Sequence, residues 1–434
     1  MEMTIAKFYG MRKNSAFFFG RWDLGSWFES LPTSQGFGGF YGTVMGHSPG
    51  CSSDIDDLLT DWDYFWMIVK HNAPLFIAIC ILIFTAKILS YISLKSVVLF
   101  MTIICIILLV LRVYCWLLPL NSNTCQVLEN QVVQRHAYND TNLTQKTTEK
   151  IIHYLTFRRM FPFLLMASYH QPGHPAFASQ SFKGKSGINK YYDSILELDW
   201  SVGKIMDTLK QQGIENDTIV FFMSDNGPVK THPYTGSPVK HSSVMKTLYG
   251  EKLSLTEGGL RIPAIVSWPN HFPSNQETAV VTSLMDIFPT LSDLSGAPTK
   301  LQKAHMKSFD GKSLLPLFRN LNRPKPSDYV HKALLHYCEA GYVSATTVGD
   351  YKVYFVTHNI TNDCSGKILD IPIVYNIVED PGETTPLVAK QHQDVISKAR
   401  STAVRFEMSM EIQAKDIVCQ FDQIPLPWHM WVSS

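Results

Sequence analysis

Two long apolar segments restrict the folding of this chain more than any other feature of its sequence. Residues 73–86 carry no charged side chain, and residues 96–111 are uncharged and mostly apolar, with a largely apolar continuation to Leu120. Neither segment has a polar face to show to water, and only residues 87–95 separate them. The pattern predicts an antiparallel pair of helices, which lies either in a membrane or in the core of a soluble protein.

A membrane hairpin over residues 64–120 is the interpretation that the sequence favours. Soluble cores rarely accept helices that are apolar on every side. The first segment is short for a span, but Lys70 and Lys87 can extend their ammonium groups to the interface. Lys87 and Lys95 flank the tip, whereas five aspartates lie between positions 54 and 63. The bias of positive residues towards the cytosol then places the tip there and both flanks in the lumen.

The hairpin also determines where we expect the protein to be. The first residues lack the positive segment, the apolar core and the cleavage site of a signal peptide, so the hairpin itself is expected to direct the chain to the membrane. We expect membrane lipid as a partner, and a location in the endoplasmic reticulum or another compartment on the secretory pathway, facing its lumen. A net charge of +1, with no basic run interleaved with aromatic residues, argues against a nucleic-acid partner.

That location predicts covalent modification. Cys51 and Cys125 lie on opposite sides of the hairpin, an arrangement that suits a disulfide in an oxidising compartment. None of the eight cysteines stands in the paired Cys-x-x-Cys motifs of a zinc site. Sequons of the form Asn-x-Thr predict glycosylation if the chain reaches the lumen, and they begin at Asn139, Asn142, Asn216 and Asn359.

The remaining sequence predicts an α/β fold. Apolar runs at 162–169, 218–223 and 264–269 indicate buried strands. Between the first two, apolar residues recur three and four positions apart from Ile195 to Leu209, which is typical of an amphipathic helix. Strand, helix and strand in this order predict a parallel sheet with a right-handed crossover, covered by helices. Strand-like runs in the C-terminal quarter predict an antiparallel sheet.

Two oxygen-bearing side chains follow the second of these strands. Asp225 and Asn226 come directly after the run at 218–223, at the end of a strand where open α/β sheets place their ligands. Carboxylate and amide oxygens are ligands that Ca²⁺ prefers. Taken alone, a Ser-Asp-Asn-Gly sequence is more often an ordinary turn, and a site for a hard cation such as Ca²⁺ is the alternative. Lys252 and a glycine-rich run at 257–263 stand further along the chain.

These motifs belong to a longer series of matches in the same order. The series runs from about residue 17 almost to the C-terminus and includes 36–42, 182–186, 198–203, 285–290, 310–316, 335–338 and 374–381. With the hairpin in its place, the chain resembles the steroid sulfatase group of arylsulfatases. The resemblance implies an alkaline-phosphatase-like sulfatase fold, in which a parallel sheet flanked by helices carries a transmembrane helical hairpin and a smaller C-terminal antiparallel sheet.

The resemblance also divides the chain into four regions. Residues 1–63 correspond to part of the sulfatase catalytic domain, and residues 64–120 to the transmembrane helical hairpin. The catalytic domain continues over residues 121–330. Residues 331–434 correspond to a C-terminal subdomain.

Candidate catalytic residues follow from the same resemblance. Lys252 matches the family's sulfate-binding lysine, and the Asp-Asn pair matches its metal ligands. His174 stands where the family has a histidine that contacts the sulfate or protonates the leaving oxygen. The family pattern Gly-Lys-Trp-His is here Gly-Arg-Trp-Asp. Arg21 keeps a positive charge in that pattern, whereas Asp23 places an anion where an anionic substrate is expected.

Two catalytic motifs of the family are not found in this sequence. No cysteine lies in a Cys-x-Pro/Ala-x-Arg motif, whose cysteine is oxidised to the formylglycine that attacks sulfur. The family's first strand, with two metal-binding aspartates, would fall before residue 1, and its loss is expected to impair the sheet. We therefore expect an N-terminally incomplete, metal-dependent sulfuric ester hydrolase for aryl or steroid sulfates that is inactive as written.

Two other functions compete with that interpretation. A non-catalytic, membrane-anchored sulfatase-like protein, either a pseudoenzyme or a truncated product, is the alternative. A phosphodiesterase of the wider alkaline-phosphatase-like superfamily is more distant, because the hairpin and the run at 257–263 argue against it.

Overall fold

The structure is a computed structural model that describes the chain in separate stretches. These are residues 5–10, 15–44, 93, 95, 126–135, 142–157, 162–173, 176–229, 248–295, 310–319, 330–337, 343–357 and 367–421. The chain divides into two compact units. The first comprises Met1–Thr218 and Thr231–His241, and the second comprises Ile219–Lys230 and Ser242–Ser434.

A five-stranded mixed sheet forms the centre of the first unit. Its strands are β1 (Ser15–Arg21), β2 (Gly39–Thr43), β3 (Val127–Glu129), β4 (Val132–Arg135) and β5 (Phe163–Ser168). Their spatial order is β4-β3-β2-β1-β5. β1 is parallel to β2 and β5, whereas β3 is antiparallel to both of its neighbours. The parallel strands therefore end together at one edge, which we call the carboxyl edge.

Glycines allow a close approach of the strands at the carboxyl edge. Gly20 of β1 is in register with Gly42 of β2 and with Ser168 of β5. A Cβ atom on Gly42 would lie 1.8 Å from the carbonyl oxygen of Gly20, and one on Gly20 would lie 1.8 Å from that of Ser168. Any larger residue would force these strands apart.

Helices complete the first unit. They are α1 (Ile5–Gly10), α2 (Leu143–Phe157) and α3 (Lys190–Gln211). α2 packs on β1 and β2, and α3 packs on α2. The side chain of Asn189 begins α3 because it accepts hydrogen bonds from the backbone N–H groups of Tyr191 and Tyr192. Gly213, with φ 69°, follows the end of the helix. Short 3-10 turns occur at Phe28–Ser30 and Glu215–Asp217.

The second unit contains two further sheets. A two-stranded sheet consists of β6 (Val220–Met223) and β7 (Ala264–Ser267). The other is antiparallel, in the order β11-β10-β9-β8. Its strands are β8 (Leu334–Tyr337), β9 (Val343–Val348), β10 (Tyr351–Val356) and β11 (Ile368–Asn376).

The second unit also contains helices. They are α4 (Glu257–Leu260), α5 (Ile287–Leu294), α6 (Leu315–Arg319) and α7 (Gln393–Phe421), with 3-10 turns at Leu284–Asp286 and Ala389–Gln391. α7 lies on β9 and β10. A buried apolar cluster joins it to the sheet through Val348, Val353, Val374, Ile396 and Ala399.

The predicted strands and the predicted helix are present, but β6 is half-buried and β7 is partly exposed, whereas buried strands are predicted. The predicted parallel pairing is also wrong. The run at 218–223 was expected to join a parallel sheet with the runs before and after it. Among the described residues, β6 instead pairs antiparallel with β7, in a sheet separate from β1–β5. A backbone hydrogen bond of 2.8 Å from Gly227 N–H to the Gly259 carbonyl joins the end of β6 to the approach to β7. The antiparallel C-terminal sheet is confirmed.

The predicted hairpin interrupts the first sheet between neighbouring strands. Thr43 of β2 is paired with Val127 of β3, so the chain leaves the sheet and returns to it at adjacent positions. Apart from Ser93 and Lys95, residues 64–120 lie outside the described residues, as do Cys51 and Cys125. Among the helices that the structure describes, none combines the length and the apolar character needed to cross a bilayer.

Candidate active site

The loop after β6 carries the predicted metal ligands. Asp225 is exposed and Asn226 is half-buried. The Asn226 amide nitrogen donates to the carbonyl of Gly227 at 2.8 Å, which leaves the amide oxygen as its free ligand atom. The hydroxyl of Ser224 donates to the carbonyl of Asn226 at 3.0 Å and tightens the turn. The sequence Ser-Asp-Asn-Gly is therefore a turn that also presents two oxygen ligands.

Gly227 is required by the contact between this loop and α4. A Cβ atom at Gly227 would lie 2.0 Å from the carbonyl oxygen of Gly258. Gly258 N–H donates to the carbonyl of Tyr249 at 2.7 Å, so the glycines of the Glu-Gly-Gly sequence lie between two loops. The glycine-rich sequence thus serves close packing of backbone on backbone.

Lys252 is held beside the same loop. Its backbone N–H donates to the carbonyl of Pro228 at 2.8 Å. The following residue, Leu253, has φ 74°, and the Ser254 hydroxyl donates to the carbonyl of Glu251 at 2.7 Å. The structure therefore places the backbone of Lys252 beside the loop that carries the predicted metal ligands.

A buried ionic network anchors α4 to the C-terminal sheet. Lys352 of β10 is fully buried, and its Nζ lies 2.8 Å from Glu257 Oε1 and 3.5 Å from Glu383 Oε1. Glu383 Oε2 accepts the backbone N–H of Glu257 at 2.7 Å, and Glu383 Oε1 accepts the hydroxyl of Tyr354. Burial, and then the negative charge of Glu383, raise the pKa of Tyr354, which therefore stays protonated as a donor.

Sequence reasoning missed this network. Lys352 stands in an apolar strand, and a charged residue there needs a buried partner. That signal was present, but its partner Glu257 is 95 positions away in the sequence. Glu257 therefore anchors the start of α4 through its buried carboxylate.

A histidine beside the network remains neutral. The Nε2 of His336 lies 2.8 Å from the hydroxyl oxygen of Thr347. Burial, and then the positive charge of Lys352, lower the pKa of His336 to about 3. Its imidazole is therefore uncharged near neutral pH and acts only as a hydrogen-bond partner.

The remaining predicted residues belong to the first unit or fall outside the described residues. Arg21 ends β1 in the first unit, and its Nε pairs with the carboxylate of Asp23, so the two opposite charges compensate locally. His174 lies outside the described residues, as do Asn139 and Asn359. Asn142 precedes α2 and is half-buried, whereas Asn216 is exposed in a 3-10 turn.

The side-chain oxygens of the loop after β6 are of the type that a hard cation binds, but there are few of them. Among the described residues, no group of three or more His, Cys, Asp or Glu side chains is arranged to hold a metal ion. Asp225 and Asn226 offer two oxygens, and Ca²⁺ takes about six to eight.

Comparison with known proteins places this architecture in one family. The sulfatase family profile matches residues 114–297, and the profile for the C-terminal region of aryl-sulfatases matches residues 329–433. Human steryl-sulfatase is 30% identical over 419 residues, which cover 89% of this chain and 69% of the human protein. The chain belongs to the sulfatase family.

Further relatives of this sulfatase-family chain agree in sequence and in fold. Human arylsulfatase H is 26% identical over an aligned length of 456 residues. The alignment covers 98% of this chain and 79% of that protein. The crystal structure of the PsFucS1 sulfatase from Pseudoalteromonas sp. matches with a TM-score of 0.66 at 20% identity, over 95% of this chain and 73% of that one. The fold is therefore the alkaline-phosphatase-like sulfatase fold, with a mixed sheet and a C-terminal antiparallel sheet.

Proposed function

We propose that this sulfatase-family chain carries part of the active site of a metal-dependent hydrolase for sulfate esters of aryl or steroid alcohols. The observation that carries the proposal is the loop 224–228, which backbone hydrogen bonds join to Lys252 and to the Glu-Gly-Gly sequence. The substrate class is supported by the likeness to human steryl-sulfatase and arylsulfatase H.

The chemistry of the site would be electrostatic. A sulfate ester develops negative charge on its oxygens as the alcohol departs, and an ammonium group at Lys252 would stabilise that charge. Asp225 and Asn226 would hold the cation, for which we propose Ca²⁺, and we expect weak binding because two residues supply few of its oxygen ligands. The cation would supply further charge compensation. His174 is the proposed general acid for the leaving oxygen.

We further propose that the 434 residues by themselves do not turn over substrate. The family's nucleophile is made from a cysteine in a Cys-x-Pro/Ala-x-Arg motif, and none of the eight cysteines here stands in one. Without an activated nucleophile, positioned charges have no covalent step to accelerate. The second candidate is therefore a non-catalytic, membrane-anchored sulfatase-like protein, which the pairing of Arg21 with Asp23 also favours because it removes a free cation.

We also propose the membrane and luminal placement that the sequence predicts. The hairpin over 64–120 would lie in the bilayer, with the sequons and the Cys51–Cys125 disulfide on the luminal side. Glycosidase sensitivity of the expressed chain, combined with carbonate extraction, measures this placement. An unglycosylated chain that carbonate releases from membranes would contradict it.

Equilibrium binding of an aryl sulfate tests the site itself. The full chain in detergent, with Ca²⁺, should bind 4-methylumbelliferyl sulfate, and Lys252→Ala should weaken binding by about tenfold because a charge-assisted contact contributes about 1.5 kcal/mol or more. Lys398→Ala, which removes an exposed lysine from α7, is the matched control and should leave binding unchanged. Equal affinities for the two variants would remove Lys252 from the site.

A further inference from the structure

Three apolar side chains project from the loop between β1 and β2. Leu24 is 71% exposed, Trp27 is 77% exposed and Phe28 is 62% exposed. We call these residues the 24–28 patch. Soluble surfaces rarely expose large apolar side chains so close together unless a partner covers them.

The loop is held in a conformation that keeps the side chains of the 24–28 patch exposed to solvent. The indole Nε1 of Trp22 donates to the carbonyl of Ser30 at 2.8 Å and closes the loop at its base. Gly25 has φ 112°, and a Cβ atom there would lie 2.9 Å from the Ser30 Cβ. The Trp22 ring packs edge-on against Phe18, with centroids 5.1 Å apart. One tryptophan therefore anchors the loop in the core, while the patch side chains point away from it.

The position of this loop suggests what covers the patch. Trp22 N–H donates to the carbonyl of Thr43 at 3.0 Å, and Asp23 N–H donates to that of Val44 at 3.1 Å. The loop therefore starts at the carboxyl edge, where the chain leaves β2 towards the predicted hairpin. The returning chain pairs at the same place, because Val127 is opposite Thr43. The patch and both ends of the inserted segment lie at one edge of one sheet.

We propose that the 24–28 patch inserts into the interfacial region of the bilayer that holds the hairpin. The proposal rests on the membrane placement given under the proposed function. Tryptophan and other amphipathic aromatic residues are enriched at the level of the lipid headgroups, where an apolar ring and a polar edge are both satisfied. A hairpin that leaves the carboxyl edge brings that edge to the membrane surface, and the patch supplies a second, shallow contact beside it.

Phe157 provides a matched control at the opposite edge of the same sheet. It is 72% exposed, which is comparable to the patch residues. α2 runs away from the carboxyl edge: Lys150 lies over the Tyr41 ring, whereas Tyr154 contacts Phe163 at the start of β5. Phe157 lies about one turn further on, at the end of α2. A bilayer at the carboxyl edge would not reach it.

Photocrosslinking to lipid tests the proposal on the full chain. Phe28, Phe157 or Phe100 of the hairpin is replaced, one at a time, by p-benzoylphenylalanine, and the protein is reconstituted in phosphatidylcholine vesicles. Irradiation followed by mass spectrometry measures the lipid adduct at each position. We expect adducts at positions 28 and 100, with about tenfold less at position 157. Position 27 serves as a second probe of the patch if the replacement at 28 lowers the yield of folded protein.

The outcomes separate this proposal from the one on which it rests. Suppose that position 100 forms lipid adducts while positions 27 and 28 form no more than position 157. This result would overturn the proposed membrane contact of the 24–28 patch and leave the hairpin in the membrane. No adducts at any of these positions would overturn both. Adducts at 28 without adducts at 100 would support the patch and remove the hairpin from the bilayer.

Discussion

Two ion pairs in this protein lie at opposite extremes of burial. Lys352 is fully buried between Glu257 and Glu383, and the first of these carboxylates is 95 positions away in the sequence. Arg21 and Asp23 are two residues apart, and each side chain is more than a third exposed. Buried ions depend on each other because neither can be left without its partner, whereas exposed ions are solvated in either case. The first pair therefore maintains the candidate site, and the second only changes local charge.

Removal of the buried lysine should have the largest effect on stability. Lys352→Met leaves two carboxylates inside the protein without their cation, so we expect a loss of about 3–5 kcal/mol in the free energy of unfolding. Urea denaturation of the full chain measures it, with Lys398→Met as an exposed-lysine control. Equal losses in the two variants would show that the network does not hold the second unit together.

Acidification should destabilise the same region. His336 has a folded pKa of about 3 against about 6.5 for an unperturbed histidine, so the unfolded chain binds the additional proton between these values. The free energy of unfolding should therefore fall as pH falls from about 6.5 to 3, with a contribution of up to about 1.4 kcal/mol per pH unit from this residue. His336→Gln should flatten that dependence, and His271→Gln, at an exposed ring, is the control. A slope unchanged by His336→Gln would contradict this account.

Changes at the surface pair should have the smallest effect. Asp23→Asn keeps a residue type that tolerates the observed φ of 57° and removes only the charge, so we expect less than about 1 kcal/mol in stability. The same variant frees Arg21, so aryl sulfate binding should strengthen slightly if that arginine faces the substrate. A stability loss comparable to that of Lys352→Met would overturn the contrast between the two pairs.

The sequence predicted the strands and helices well, but it predicted poorly which strands pair and which charged residues contact each other. The run at 218–223 was correctly identified as a strand from its β-branched and aromatic residues, although that strand is half-buried rather than buried. Its antiparallel pairing with β7 could not be inferred, since an apolar run is compatible with either strand direction. The choice of Lys252 as a candidate came from the family resemblance, and its contact with the loop after β6 is seen only in the structure. The buried partners of Lys352 could not be inferred, because local sequence carries no information about a carboxylate 95 positions away.

Steady-state turnover is the measurement that tests the account most directly. The full 434-residue chain, purified in detergent with Ca²⁺, is assayed for release of 4-methylumbelliferone from its sulfate, with Lys252→Ala as the reference. The account predicts that the chain binds the ester without releasing product above that reference. The proposed site retains Lys252, but no cysteine stands in the family's Cys-x-Pro/Ala-x-Arg motif. Turnover clearly above the Lys252→Ala level would contradict it and show that another group attacks sulfur.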